Sequence, residues 1–67
     1  MKEFSKKYRN IDVLMRELGG KWSYACNVHK ESLGQITAQA LVRGGFSSQE
    51  EALEHAERRI DIAFTQL

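Results

Sequence analysis

Proline is absent from the 67 residues, and cysteine occurs once, at Cys26. Without proline, nothing in the chain enforces a kink or a rigid linker. A lone cysteine cannot close an internal disulfide, so a disulfide-stapled fold is excluded. No apolar run approaches the ~18 residues that suggest a membrane span. The basic stretch Met1 to Asn10 lacks the apolar core of a signal peptide, so the expectation is a cytoplasmic protein. Length is also scarce. A chain this short hides only about 60% of the surface its unfolded form exposes. Its own core supplies on the order of 3–5 kcal/mol. One domain spanning residues 1–67 is expected, without the lids and supporting layers of a deep active site.

What is present is ordinary in bulk and uneven in detail. Hydrophobic residues make up 42% and charged residues 28%, the balance of a soluble globular domain. The net charge of +1 conceals an asymmetry. Residues 1–30 carry seven basic against three acidic side chains, a net +4. Residues 31–67 carry three basic against six acidic ones, a net −3. The two halves attract each other, and either one is able to steer a charged partner.

The spacing of Phe4, Tyr8, Ile11, Leu14, Met15 and Leu18 places them on one helical face, with Val13 alone off the stripe. It predicts a helix over about 4–18, closed by Gly19-Gly20. Strict alternation follows. Trp22, Tyr24, Cys26 and Val28 point one way, and Ser23, Ala25, Asn27 and His29 the other. A strand over about 21–30 is expected, a break at Glu31-Ser32-Leu33-Gly34, and a second strand over about 35–43. The capping-box spacings Ser47 to Glu50 and Ser48 to Glu51 announce a last helix over about 48–66. Its apolar stripe is Ala52, Leu53, Ala56, Ile60, Ala63, Phe64 and Leu67.

These elements predict an α+β domain of order α-β-β-α, a two-stranded antiparallel hairpin with both helices on one face. A tight hairpin with partner numbers summing to 66 sets Val28 opposite Ala38, Cys26 opposite Ala40 and Tyr24 opposite Val42. That register puts every even position of the two strands on one side and leaves room above the alanines for the helices. Both strands are then edges, and a lone two-stranded sheet is marginal in water. Two copies pairing edge to edge, or through the first helix, relieve that weakness.

Few residues carry chemistry. Cys26 and His29 have a suggestive spacing, but three residues apart on a strand they face opposite sides. No second cysteine completes a zinc set, so no metal site and no cofactor are expected. A buried Cys26 is an inert packing residue, and Gly44-Gly45 lacks the lysine and glycine spacing of a phosphate loop. An enzyme is not expected. The expected function is a small accessory or regulatory binding module, acting on a protein partner or on a second copy of itself. The acidic helix face, Glu50, Glu54, Glu57 and Asp61, is the candidate protein contact. The alternative is nucleic-acid binding by the outer sheet face, which would show Ser23, Asn27, His29, Thr37, Gln39 and Arg43 with Ala25 and Leu41 among them. Asn27, Gln39 and Arg43 would read bases, and Lys6, Lys7, Arg9, Lys21 and Lys30 would meet phosphates.

The run Trp22-Ser23-Tyr24, a hairpin, then Gly45-Phe46-Ser47-Ser48-Gln49-Glu50-Glu51-Ala52-Leu53 resembles two kinds of small domain. One is the arm-type DNA-binding domain at the N-terminus of phage and transposon integrases. The other is the N-terminal domain of HicB-type antitoxins. The resemblance covers roughly residues 22–58. The first implies DNA read by the sheet face, through Asn27, Gln39 and Arg43. The second implies a protein partner. The chain departs from both in offering two strands where they use three or more, and in beginning with an amphipathic helix.

Overall fold

Alternation, rather than helical periodicity, organises the chain from its beginning. The structure, a computed structural model, describes residues 2–65, with the side chains of Lys30, Glu31, Ser32 and Thr37 excepted. It is an α+β domain of order β-β-β-β-α. Strands β1 (Lys2–Tyr8), β2 (Ile11–Leu18), β3 (Lys21–Ser32) and β4 (Gln35–Phe46) form one antiparallel sheet in chain order. Helix α1 (Gln49–Thr65) crosses one face of that sheet. The last helix and the strand pair 21–30 and 35–43 therefore stand close to where the sequence puts them. Leu67, assigned to the last helix's stripe, lies outside the described residues.

The helix expected over 4–18 is instead the hairpin β1-β2, and the α-β-β-α order is corrected accordingly. The reason lies in Val13. It falls off the helical stripe, yet with Ile11 and Met15 it makes an alternating set, and all three are buried. Ile11 and Val13 are β-branched and suit a pleated surface better than a helix. Arg9 and Asn10, at φ 51° and 64°, make a two-residue turn, and both strands register across it from Tyr8↔Ile11 to Lys2↔Glu17. Asparagine tolerates that left-handed region. An isolated helix of this length is marginal, whereas β2 pairs with β1 along its length and with β3 over Leu14 to Leu18. β3 is thus an interior strand, and the edges are β1 and β4.

The register of β3 with β4 is also corrected. Partner numbers sum to 67 from Ser32↔Gln35 to Ser23↔Gly44. The turn Leu33-Gly34, with φ 54° and 77°, is two residues long, so its flanking residues must pair as i and i+3. That parity sets Val28 opposite Gln39, Cys26 opposite Leu41 and Tyr24 opposite Arg43. The even residues of β3 face α1. On β4 the odd ones do, and Ala38, Ala40 and Val42 face the other way. A bulge between Trp22 and Ser23 ends this phase. Gly45, at φ 88°, occupies the irregular position, and Phe46 returns to the helix side opposite Trp22.

The core lies between α1 and the sheet. Val13, Met15, Val28, Ala52, Ala56 and Ile60 are fully buried there, with Tyr24 nearly so. Close approach comes from the alanines of α1, not from Ala38 and Ala40, which lie on the uncovered side. Ser48 caps the helix: its Oγ accepts the Glu51 backbone N–H at 3.1 Å, while Ser47 Oγ donates to the Glu51 carboxylate at 2.6 Å. The β3-β4 hairpin projects beyond the rest of the sheet, because β2 pairs with β3 only from Leu14↔Ala25 to Leu18↔Lys21. The molecule is accordingly elongated, 43 × 17 × 16 Å.

Two substitutions check this layout. Ile60→Ala empties the centre of the core and should cost about 2–4 kcal/mol. Leu33 is fully exposed at a positive φ that disfavours leucine. Leu33→Asn should therefore stabilise the fold by about 1 kcal/mol. Urea unfolding midpoints read both; a Leu33→Asn midpoint below that of the parent would contradict the turn geometry.

Candidate functional site

The helix covers one face of the sheet and leaves the other open. Across the open face run Glu3, Ser5 and Lys7 of β1, then Asp12, Leu14, Arg16 and Leu18 of β2. Ser23, Ala25, Asn27 and His29 of β3 follow, and finally Ala38, Ala40 and Val42 of β4, all placed by register and alternation. Its centre is apolar. Leu14, Ala25, Ala40 and Val42 line a shallow depression of about 280 Å³ with Asp12 and Asn27 at one end. Val42 is 61% exposed and Ile36 73% exposed. Arg16 is held by Glu3, with Nε 3.2 Å from the carboxylate.

The open side continues round the β4 edge. In a two-residue hairpin the residues flanking the turn exchange hydrogen bonds, so the odd residues of β4 bond to β3. The N–H and C=O groups of Ile36, Ala38, Ala40 and Val42 point away from the sheet. The stretch Gln35 to Val42 contains no charged residue. The opposite edge, β1, carries Lys2, Lys6 and Lys7 among seven residues. Lysine on an edge strand hinders pairing with another strand. One edge is guarded and the other is not.

Of the candidates for nucleic-acid contact, Arg9 and Asn27 line one depression of about 450 Å³ with Asp12, His29 and Phe64, and the others are spread out. Lys7 and Asn27 lie on the open face. Lys6, Gln39 and Arg43 lie on the helix side, at exposed positions. Lys21 starts β3, beside the Gly19-Gly20 turn, and the Lys30 side chain lies outside the described set. Arg9 sits in the first turn, its Nε 2.9 Å from Asp61 and its guanidinium 5.4 Å above the Phe64 ring. Of the outer-face residues named from sequence, Ser23, Ala25, Asn27 and His29 are so placed. Gln39, Leu41 and Arg43 are not, because of the one-residue register difference. The described aromatic rings lie on the helix side or, like Phe64, on the helix itself.

The acidic candidates also divide. Glu50 and Glu54 are exposed, with Glu54 3.6 Å from Arg58, and Glu57 is half-buried. Asp61 is engaged within the fold, accepting a hydrogen bond from the Tyr8 hydroxyl at 2.9 Å. That bond pushes the Tyr8 pKa up. Tyr8, Arg9, Asp61 and Phe64 thereby tie the first hairpin to the end of α1, a role the sequence reading did not assign them.

Of the groups with catalytic potential, Cys26 and His55 are engaged in packing and His29 is exposed. Cys26 is buried beneath α1, and burial pushes its thiol pKa up, away from the reactive thiolate. His29 is exposed on the opposite face. His55 shares a 2.8 Å hydrogen bond with the Tyr24 hydroxyl and packs 5.1 Å from the Phe46 ring. Tyr24 and Phe46 stack at 5.9 Å. Beside this cluster is a small depression of about 170 Å³ lined by Phe46, Glu51, Glu54, His55 and Arg58.

Comparison with protein-family models, with curated proteins and with solved structures finds no match to this chain. No helix among the described residues is long and apolar enough to cross a membrane.

Burial raises the Tyr24 phenol above its ordinary 10.0 and the Cys26 thiol above its ordinary 9.0. Their neutral forms thus stabilise the fold fully below those values, and that contribution is lost as pH rises through the folded values. The urea midpoint should be level near neutrality and fall above pH about 9. Tyr24→Phe, which lacks the phenol, should flatten the decline while losing about 1 kcal/mol at neutral pH with the His55 bond. An unchanged alkaline slope in Tyr24→Phe and in Cys26→Ala would contradict the burial of both groups.

Proposed function

We propose that this chain is a small, non-catalytic binding module that works by protein contact along the open side of its sheet. The observation that carries this reading is the placement of β4. Its apolar even residues, Ile36, Ala38, Ala40 and Val42, lie outside the core, next to Leu14 and Ala25, on a face that α1 does not cover. A sheet edge with free backbone groups accepts an added strand, and the alternate side chains then supply specificity. Exposed contiguous apolar surface on a small domain marks an interaction site. The engagement of Cys26 and His55 in packing favours binding over catalysis.

Nucleic-acid binding is the alternative, supported by Lys7, Arg16, Asn27 and His29 on the same open face. It has fewer supports than the protein reading. Gln39 and Arg43 project from the other side, and the Phe64 ring, which shares a depression with Asn27 and His29, is already covered by the Arg9 guanidinium. The acidic helix face is likewise a weaker candidate than the sheet, since Asp61 is already bonded to Tyr8 and Arg9.

Immobilised chain should retain a protein from native extract, with retention reduced about tenfold by Val42→Lys and little changed by Lys6→Ala on the guarded edge. A duplex mobility shift at low salt, weakened by salt and by Asn27→Ala, with retention indifferent to Val42→Lys, would favour the nucleic-acid reading instead.

A further inference from the structure

The β4 sequence is nearly the same read in both directions from Gln39. Ala38 and Ala40 flank it, and the β-branched Ile36 and Val42 stand three residues to either side. We propose that the occupant of this edge is the β4 strand of a second copy, antiparallel, with the two-fold axis at Gln39. This rests on the protein-contact reading and names its partner.

The geometry is self-consistent. A dyad at Gln39 pairs even residues with even residues, which are the ones whose N–H and C=O groups point outward. Ala38 meets Ala40 of the partner subunit, and Ile36 meets Val42 of the partner subunit. Those pairs supply about eight backbone hydrogen bonds. Because even meets even, both helices lie on the same side of a continuous sheet of eight strands, four from each copy. Gln39 faces its own symmetry mate at the closely spaced kind of pair. A carboxamide both donates and accepts, so two facing glutamines satisfy each other across a two-fold axis.

Charge and closure favour β4 over β1 of the second copy as the occupant of the edge. The free run Gln35 to Val42 brings no like charges together when laid against itself. Laying it against β1 of another copy would instead confront it with Lys2, Lys6 and Lys7 and would build an open chain of copies rather than a closed pair. On the helix side the seam is flanked by Ile62, 38% exposed and lining a small cleft with Gln39, Leu41, Arg59 and Ala63. Ile36 and Val42, the most exposed apolar side chains of the strand, become neighbours across the pair.

Sedimentation equilibrium of the purified full chain, from about 5 to 500 μM, reads the proposal. The expected mass is twice 7.7 kDa. Gln39→Lys alone and Gln39→Glu alone should each weaken the dimer about tenfold, since like charges then face each other at the axis. An equimolar mixture of the two variants should restore it. Ala40→Pro, which removes an outward N–H without touching the bonds to β3, should give a folded monomer by circular dichroism. Ser5→Pro, the matching change on β1, should leave the dimer intact. A monomer at every concentration overturns the proposal. If that monomer still retains a foreign protein in a manner sensitive to Val42→Lys, the protein-contact reading survives. If it retains none, both fall. A dimer that persists in Ala40→Pro and dissolves in Leu14→Lys is a face-to-face pair, which overturns the edge register alone.

Discussion

The two-residue turn at Leu33-Gly34 fixes more of this molecule than its size suggests. By making partner numbers sum to an odd value, it sends the even residues of β3 and of β4 to opposite faces. Hydrophobic patterning favours the other parity, in which Val28, Cys26 and Tyr24 share a side with Ala38, Ala40 and Val42. Turn geometry prevails. The core keeps the β3 set and takes only Leu41 from the buried middle of β4, while Ile36 and Val42 remain in solvent. A bulge at Gly45 then reverses the phase so that Phe46 can join Tyr24 and His55.

The core compensates from the N-terminal side. β2 contributes Ile11, Val13 and Met15, and α1 brings Ala52, Ala56 and Ile60 close enough to cover them. The small side chains of the helix allow it to lie near the sheet, and Tyr8 and Arg9 anchor its end through Asp61. Covering one face is all that a single helix of 17 residues achieves. The unpaired pattern of β4 is therefore left on the open side. Local pattern and global fold disagree at this strand, and such disagreements concentrate where a protein meets something else.

Much of the architecture was legible in the residues. The strand at Trp22 to Val28, a break between Glu31 and Gly34 and the serine-capped helix all follow from alternation, positive-φ chemistry and capping spacing, whereas the two-residue length of the turn does not. The first eighteen residues did not read correctly, because Phe4, Tyr8, Ile11, Leu14, Met15 and Leu18 satisfy a helical period as well as two short strands. Val13 and the turn-forming Asn10 were the discriminating signals. The open-side residues Leu14, Ile36 and Val42 were missed for a related reason. Each looks like core by composition; the parity of the Leu33-Gly34 loop turns Ile36 and Val42 outward, and alternation with the buried Val13 and Met15 turns Leu14 to the open side. Gln39 and Arg43, the nucleic-acid candidates of β4, leave the outer face because of the parity of the Leu33-Gly34 loop.

The register of β3 with β4 is the claim on which core, open face and edge all depend, and cross-strand nuclear Overhauser contacts test it directly. The account predicts Hα–Hα contacts between Asn27 and Ala40 and between Ala25 and Val42, with the Val42 methyls near Ala25 and away from Ile60. Contacts of Val42 with Tyr24 and Ile60, with Ala40 opposite Cys26, would contradict it.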